Sequence, residues 1–251
     1  MHTVLKTGKE GFETVILIAR PAAGKSEIID FFKKTPDRER LSRFHIHPFS
    51  EIDDFPMLFT WFEEDKILEE MGKPRLHTTP DGYFKDNYFW DILIRRISLE
   101  YDKTERDLND RRRERTILIE FSRGREHGGY QSAFKNLSRK ILKSAAVIYV
   151  NVSYEESLRK NRRRFNPKKP DSILEHSLPD DKLEKLYKEC DWNEFSAPDP
   201  QFLHVEGITV PYVVFQNEDD VTTARGAPLS ERLEKCCHEL WEGYRAKDIF
   251  I

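Results

Sequence analysis

Three cysteines among 251 residues, Cys190, Cys236 and Cys237, are too few for a disulfide framework, and two of them are adjacent, where pairing is geometrically poor. Such sparse cysteine fits a reducing compartment. No apolar run approaches the ~20 residues of a membrane-spanning helix, and Met1-His2-Thr3-Val4-Leu5-Lys6 lacks the apolar core of a secretion signal. A soluble, cytoplasmic protein with no membrane partner is expected. Charge of one sign is also missing: 42 Lys and Arg stand against 45 Asp and Glu, a formal net charge of -3, so nothing global points to nucleic acid. There is no internal repeat and no low-complexity tract.

What is present is an alternation of buried strands and amphipathic helices. Continuous apolar runs mark strands covered on both faces. Four stand out, at 14–18, 116–120, 146–152 and 210–215, and Arg43-Phe44-His45-Ile46-His47 is a weaker fifth. Helical spacing links Phe134, Leu137, Ile141 and Leu142, and again Leu229, Leu233, Cys236, Cys237, Leu240, Trp241 and Tyr244. The pattern predicts one α/β domain over 1–251, a three-layer α/β/α fold on a parallel five-stranded sheet, with ligands at the carboxyl ends of the strands. Two stretches exceed simple crossovers. Residues 55–113 form a helical, aromatic insertion that would bind an acceptor. Residues 159–205 form a lid-like insertion that opens on Arg159-Lys160-Asn161-Arg162-Arg163-Arg164 and continues through Asn166-Pro167-Lys168-Lys169-Pro170.

The most specific signal is Ala19-Arg20-Pro21-Ala22-Ala23-Gly24-Lys25-Ser26, between the first strand and a helix with Ile28, Ile29 and Phe32 on its apolar face. In a P-loop (Walker A) of pattern G-x-x-x-x-G-K-[ST], backbone N–H groups at a helix N-terminus face the phosphates. The lysine reaches the β and γ oxygens, and the hydroxyl binds Mg2+. Lys25 and Ser26 would take those two parts, with Ala22, Ala23, Gly24 and Glu27 completing the cradle. Ala19 replaces the first glycine: the loop survives if that position asks only for a small side chain, and is distorted if it asks for positive φ.

On strand, Gly24-Lys25-Ser26 and helix together, the chain resembles the P-loop kinase superfamily, which holds nucleoside, nucleotide, shikimate and gluconate kinases. The resemblance implies ATP and Mg2+ as cofactors, with the base of the nucleotide (ATP or GTP) left open. It also implies an acid after the second strand that orients the acceptor hydroxyl, and an arginine-bearing lid after the fourth. Asp53, in Ser50-Glu51-Ile52-Asp53-Asp54, falls where that acid would lie; a solvated acidic turn is the plainer reading. Glu120, at the end of the third strand, resembles a Walker B acid that holds Mg2+ through water or acts as base. Arg123 would then touch the acceptor, unless the two simply pair. Arg159 with Arg162 or Arg163 falls on one helical face that would swing in with the lid over the transferring group, Arg159 and Arg163 being the catalytic choice and Arg162 the nucleotide-binding one, or the run is a solvated charge cluster. Arg225, after the fifth strand, borders the adenine in the resemblance, or sits in a polar surface loop.

The rings of 55–113 suit a planar acceptor, although rings at helical spacing also build cores. His45 and His47 have no evident third ligand and read as structural. The expected partner is a small-molecule acceptor, with a homodimer left open. An ATP- and Mg2+-dependent kinase for a nucleoside, nucleotide or other small hydroxyl compound is the expectation. The rivals are a nucleotide-operated regulatory switch acting through a protein partner, and a P-loop protein that has lost nucleotide binding.

Overall fold

A computed structural model of the chain describes residues 10–109, 114–164 and 178–247. The N-terminal hexapeptide and the Pro-rich stretch 166–170 lie outside the described residues.

The strand Thr14–Ala19 (β1) is buried at every position. Its alternate side chains serve two separate cores, as the period of two requires. Val15, Leu17 and Ala19 pack on one face against Ile28, Ile29 and Phe32 of the helix Lys25–Lys34 (α1) and against the long helix Gly226–Ala246. Ile16 and Ile18 pack on the other, against Ile94 and Ile97 of Tyr88–Leu108 (α4) and against the short helices Gly129–Asn136 (α5) and Arg139–Ser144 (α6). The sheet is completed by Phe49–Asp53 (β2), Thr116–Phe121 (β3), Ala145–Asn151 (β4), Phe202–Val205 (β5) and Ile208–Gln216 (β6). Its order is β2-β3-β1-β4-β6-β5. All neighbours run parallel except β5, which is antiparallel to β6. The chain is therefore a mixed α/β structure with helices on both sides of a mostly parallel sheet.

Two expectations about the sheet are corrected. Among the described residues it has six strands rather than five, the extra one being the antiparallel edge β5, four residues long with burial alternating at Leu203, His204 and Val205. The second strand is not Arg43–His47. Asp37–Phe44 is a helix (α2) with Asp37 and Glu39 in its first turn, and His45 closes it at φ 55 in the left-handed region. The strand begins at Phe49 and contains the acidic run once expected to follow it.

The insertion 55–113 contributes Phe55–Glu70 (α3) and α4, joined by a loop with an isolated bridge between Thr78 and Phe84. The stretch 159–205 contributes the end of Tyr154–Arg164 (α7), then Asp180–Tyr187 (α8), Trp192–Ser196 (α9) and β5. Among the described residues no helix is long and apolar enough to cross a membrane. All three cysteines are free. His45 stacks on Trp241 at 4.6 Å and lies beside His238.

Candidate functional site

The question raised by Ala19 is answered by its backbone. It is the last residue of β1, paired with Val150 of β4, and extended strand asks for no glycine. Positive φ falls instead at Ala22 (φ 56) and Gly24 (φ 113). Gly24 needs its missing side chain for a second reason: a Cβ there would lie 2.5 Å from Thr222 Oγ1 and 2.8 Å from Asn217 Nδ2. Those groups cannot step aside easily. Asn217 Nδ2 donates to the Ala23 carbonyl at 2.7 Å and to Thr222 Oγ1 at 2.8 Å, and Lys160 Nζ donates to Thr222 Oγ1 and to Asp220. The loop is also held by Ser157, which donates to the Pro21 carbonyl. Arg20 donates to the carbonyls of Val152, Tyr187 and Lys188. Gly24→Ala is therefore expected to cost roughly 2–3 kcal/mol in unfolding free energy, the combined effect of forbidden φ and a pinned neighbour. Chemical denaturation measures it, and a loss below about 0.5 kcal/mol, the level of an ordinary surface change, would refute this account of the loop.

Parallel register then sets the chemistry. β2 and β3 pair so that Asp53 faces Glu120, and β3 and β1 pair so that Glu120 lies beside Leu17, one strand from the loop. Lys25 Nζ reaches into this corner and donates to Ser122 Oγ at 2.7 Å. Burial lowers the Lys25 pKa, while Glu120 and Asp53 act in the opposite sense. Burial, then Glu120 and Asp54, push Asp53 up to about 7; one of its oxygens accepts from the Phe55 N–H at 3.0 Å. Glu120 is raised by burial, with Lys25 opposing. One ammonium thus serves two carboxylates that repel each other.

Arg123 is not the partner of Glu120. Its Nη1 lies 2.6 Å from Asp54 Oδ2, both side chains are buried, and its guanidinium sits over the Trp90 ring. Asp54 was not singled out in the sequence, although its neighbour was. The basic run divides by helical face. Arg159 pairs with Glu156 and Asp220, Arg163 Nη1 stands 3.8 Å from the same Asp220, and Arg162 pairs with Asp180; all three are exposed. The inward face of α7 is Ser157, Lys160, Asn161 and Arg164, at spacings of three and four. Of these, Arg164 reaches the loop, donating to Ser26 Oγ at 3.3 Å. Arg225 pairs with Asp30 on α1. Glu27 is half-buried in the first turn of α1, and Ser26 is exposed.

Lys25, Ser26, Asp53, Asp54, Glu120, Arg123 and Arg164 line one cleft of about 1170 Å³, whereas Glu27, Arg159, Arg162, Arg163 and Arg225 stand outside its lining. At one end are Lys25, Ser26, Asp53, Glu120 and Arg164. At the other a chamber is walled by Phe55, Phe59 and Phe62 of α3, by Tyr83 and Phe84, and by Trp90. The insertion rings are thus divided: Trp61 and Phe89 pack with Leu93 and Trp90 as a small core, Phe55, Phe59, Phe62, Tyr83, Phe84 and the same Trp90 line the cleft, and Tyr88 is exposed outside it. Among the described residues no three His, Cys, Asp or Glu side chains are grouped to hold a metal on their own. Mg2+ asks for less, one or two carboxylates with phosphate oxygens and waters. Ser26 and Glu120, with Asp53 beside it, fit that donor set.

No family model matches the chain, and no curated protein does. Among solved structures, that of a shikimate kinase from Bacteroides thetaiotaomicron aligns over 91% of this chain and 98% of its own, at 16% identity and a TM-score of 0.41. That likeness is too slight to bear on what this site does.

Proposed function

We propose that the chain is a kinase that moves the γ-phosphoryl group of ATP, with Mg2+, onto a hydroxyl of a small acceptor, a nucleoside or nucleotide being the leading class. The observation that carries this reading is the corner where Lys25, Asp53 and Glu120 meet, opening directly into a ring-walled chamber. A regulatory switch needs the phosphate end of such a cleft but has no use for the chamber.

The assigned parts follow from position. The N–H groups at the start of α1 and the ammonium of Lys25 hold the β and γ phosphate oxygens, and Arg164 approaches from the lid side. Ser26 and Glu120 would hold Mg2+, which when bound offsets phosphate charge. Asp53 receives the acceptor hydroxyl: the hydroxyl oxygen bonds to the γ-phosphorus, the bond to the β–γ bridging oxygen breaks, and the hydroxyl proton passes to the Asp53 carboxylate. A base titrating near pH 7 is matched to that task. Arg123, locked by Asp54, positions the far wall through Trp90.

Calorimetric titration of Mg2+ and ATP into the full chain, followed by a thermal-shift screen of hydroxyl acceptors with bound nucleotide, tests the reading. No binding of ATP would sink it.

The raised Asp53 pKa gives the titration a second readout. A folded pKa above the unfolded value means that the free protein prefers the protonated form. This contribution to stability is full below about pH 4, the unfolded carboxylate range, and is lost as pH rises through about 7. Cation binding demands the ionised form, so loading with Mg2+ and ATP should expel about half a proton at pH 7, rising toward one at lower pH, and weaken by up to about tenfold per pH unit below it. Titrations in buffers of different ionisation enthalpy count the proton, and a pH-independent affinity between 5.5 and 7.5 would remove Asp53 from the site.

A further inference from the structure

The cations lining the cleft are not all alike. Lys33 pairs with Glu51 at 2.9 Å and Arg123 with Asp54 at 2.6 Å. Lys25, Arg164, Lys182 and Lys185 also line it and close no ion pair among the described residues. These four fall into two groups. Lys25 and Arg164 stand at the phosphate loop, donating to Ser122 and Ser26. Lys182 and Lys185 stand on α8, over the Tyr83 ring at 5.0 and 4.2 Å. Lys182 also donates to the Gly82 carbonyl at 3.2 Å. The exposed Asp81 senses both ammonium groups but pairs with neither.

Two groups of cations outside any ion pair among the described residues, one beside Glu120 and Asp53 and the other on α8 near Asp81, offer places for two anionic groups. The first group of cations matches the nucleotide phosphates. The second lies beside the ring wall, and its two lysines are one helical turn apart, a mildly repulsive arrangement that an anion between them relieves. A polyhydroxylated acceptor would need a hydrogen-bonding partner for each hydroxyl, whereas this wall is made largely of Phe55, Phe59, Phe62, Phe84 and Trp90.

We infer that the acceptor carries an anionic group, phosphate or carboxylate, held by Lys182 and Lys185 while its planar body lies against the rings of α3 and residues 83–90. This rests on the kinase reading of the same cleft and narrows its acceptor class. The ammonium groups are strong donors to either anion and sit on one wall, so the charged end is fixed and the hydroxyl end is turned toward Asp53.

Matched pairs test it on the full chain by equilibrium titration: thymidine 5′-monophosphate against thymidine for a phosphate, and 4-hydroxybenzoate against 4-hydroxybenzyl alcohol for a carboxylate. In at least one arm the anionic member should bind about tenfold or more tighter, as two unit charges a few ångströms away require; the arm that discriminates identifies the anion. The double substitution Lys182→Gln with Lys185→Gln should erase the difference and spare the neutral member, and Lys182→Arg with Lys185→Arg should keep it. Equal affinity within both pairs, failure of both anions to bind, or discrimination that survives the double Gln substitution overturns the inference. A parallel Mg2+ and ATP titration separates the two readings. ATP binding without anion discrimination sinks the subsite alone, whereas discrimination without ATP binding upholds the subsite and sinks the kinase.

Discussion

Replacing Lys25 with methionine is expected to lower phosphoryl transfer by about a thousandfold and to leave the thermal midpoint unchanged or slightly raised. The two directions come from one property. The Lys25 ammonium is desolvated and its pKa lowered, so folding it in charged form costs free energy, and a methionine of similar shape removes that cost. Catalysis loses in three ways. The β and γ phosphate oxygens lose a preorganised cation, an effect of about 10²–10³ for one donor in comparable charge-stabilising sites. Asp53 and Glu120, paired in register, lose the charge that opposes their repulsion and hold their protons to higher pH, so cation binding weakens as well. Ser122 loses the donor at 2.7 Å that fixes it. Steady-state transfer and calorimetric Mg2+ and ATP affinity on wild type and variant measure the first, and thermal melting the second. A variant that keeps a tenth of the activity, or melts several degrees lower, would mean that Lys25 is an ordinary structural lysine.

The central strands were legible because each is buried on both faces, so TVILIA and AAVIYVN read as continuous apolar runs. The edges were not. β2 is half-buried and polar, with Glu51 exposed beside buried Ile52, and β5 alternates over only four residues; a search for continuous runs passes over both. That slip moved the second strand six residues upstream, yet Asp53 was still singled out, because an acid was sought downstream of the misplaced strand and the true strand ends on it.

Within α7 the difficulty was phase. Six residues with five positive charges present a cation on every face, and sequence spacing alone cannot say which face is inward. Burial of Ser157, Lys160 and Asn161 decides it and puts Arg164, the last of the run, at Ser26. The buried Ser157 was the available signal, since a small polar residue amid charges marks the packed face of such a helix. The Asn217, Thr222 and Lys160 network behind Gly24 left no such trace, because it joins the segment 217–222 to Lys160 and to the Ala23 carbonyl, both far from it in the chain.

Truncating Asp65 to alanine should unfold the acceptor chamber while sparing the phosphate loop. Asp65 is a wholly buried carboxylate on α3. Its Oδ1 accepts from the Leu76 N–H at 2.7 Å, and its Oδ2 accepts from the N–H groups of His77 and Thr78 and from the Thr78 hydroxyl at 2.7 Å. Burial alone would raise its pKa, but these donors together hold it well below the usual carboxylate range. A depressed folded pKa gives stability that is present above about pH 4 and is lost only as pH falls through the folded value, so mild acid should not open the insertion. The alanine variant leaves three backbone donors and a hydroxyl without an acceptor, and a loss of about 3–5 kcal/mol is expected. The loop from Leu76 to Thr78, which Asp65 anchors, precedes the chamber wall at Tyr83 and Phe84, and His77 stacks on Trp61 at 5.2 Å with an interplanar angle of 4°. Hydrogen exchange should therefore accelerate across 72–87 and not across 14–26. Acceptor binding should fail while Mg2+ and ATP still titrate. Asp65→Asn, isosteric but with its amide donor turned on other donors, should lie between wild type and alanine. If exchange accelerates equally in both regions, the insertion and the loop are one cooperative unit, and the separate acceptor chamber argued for above does not exist.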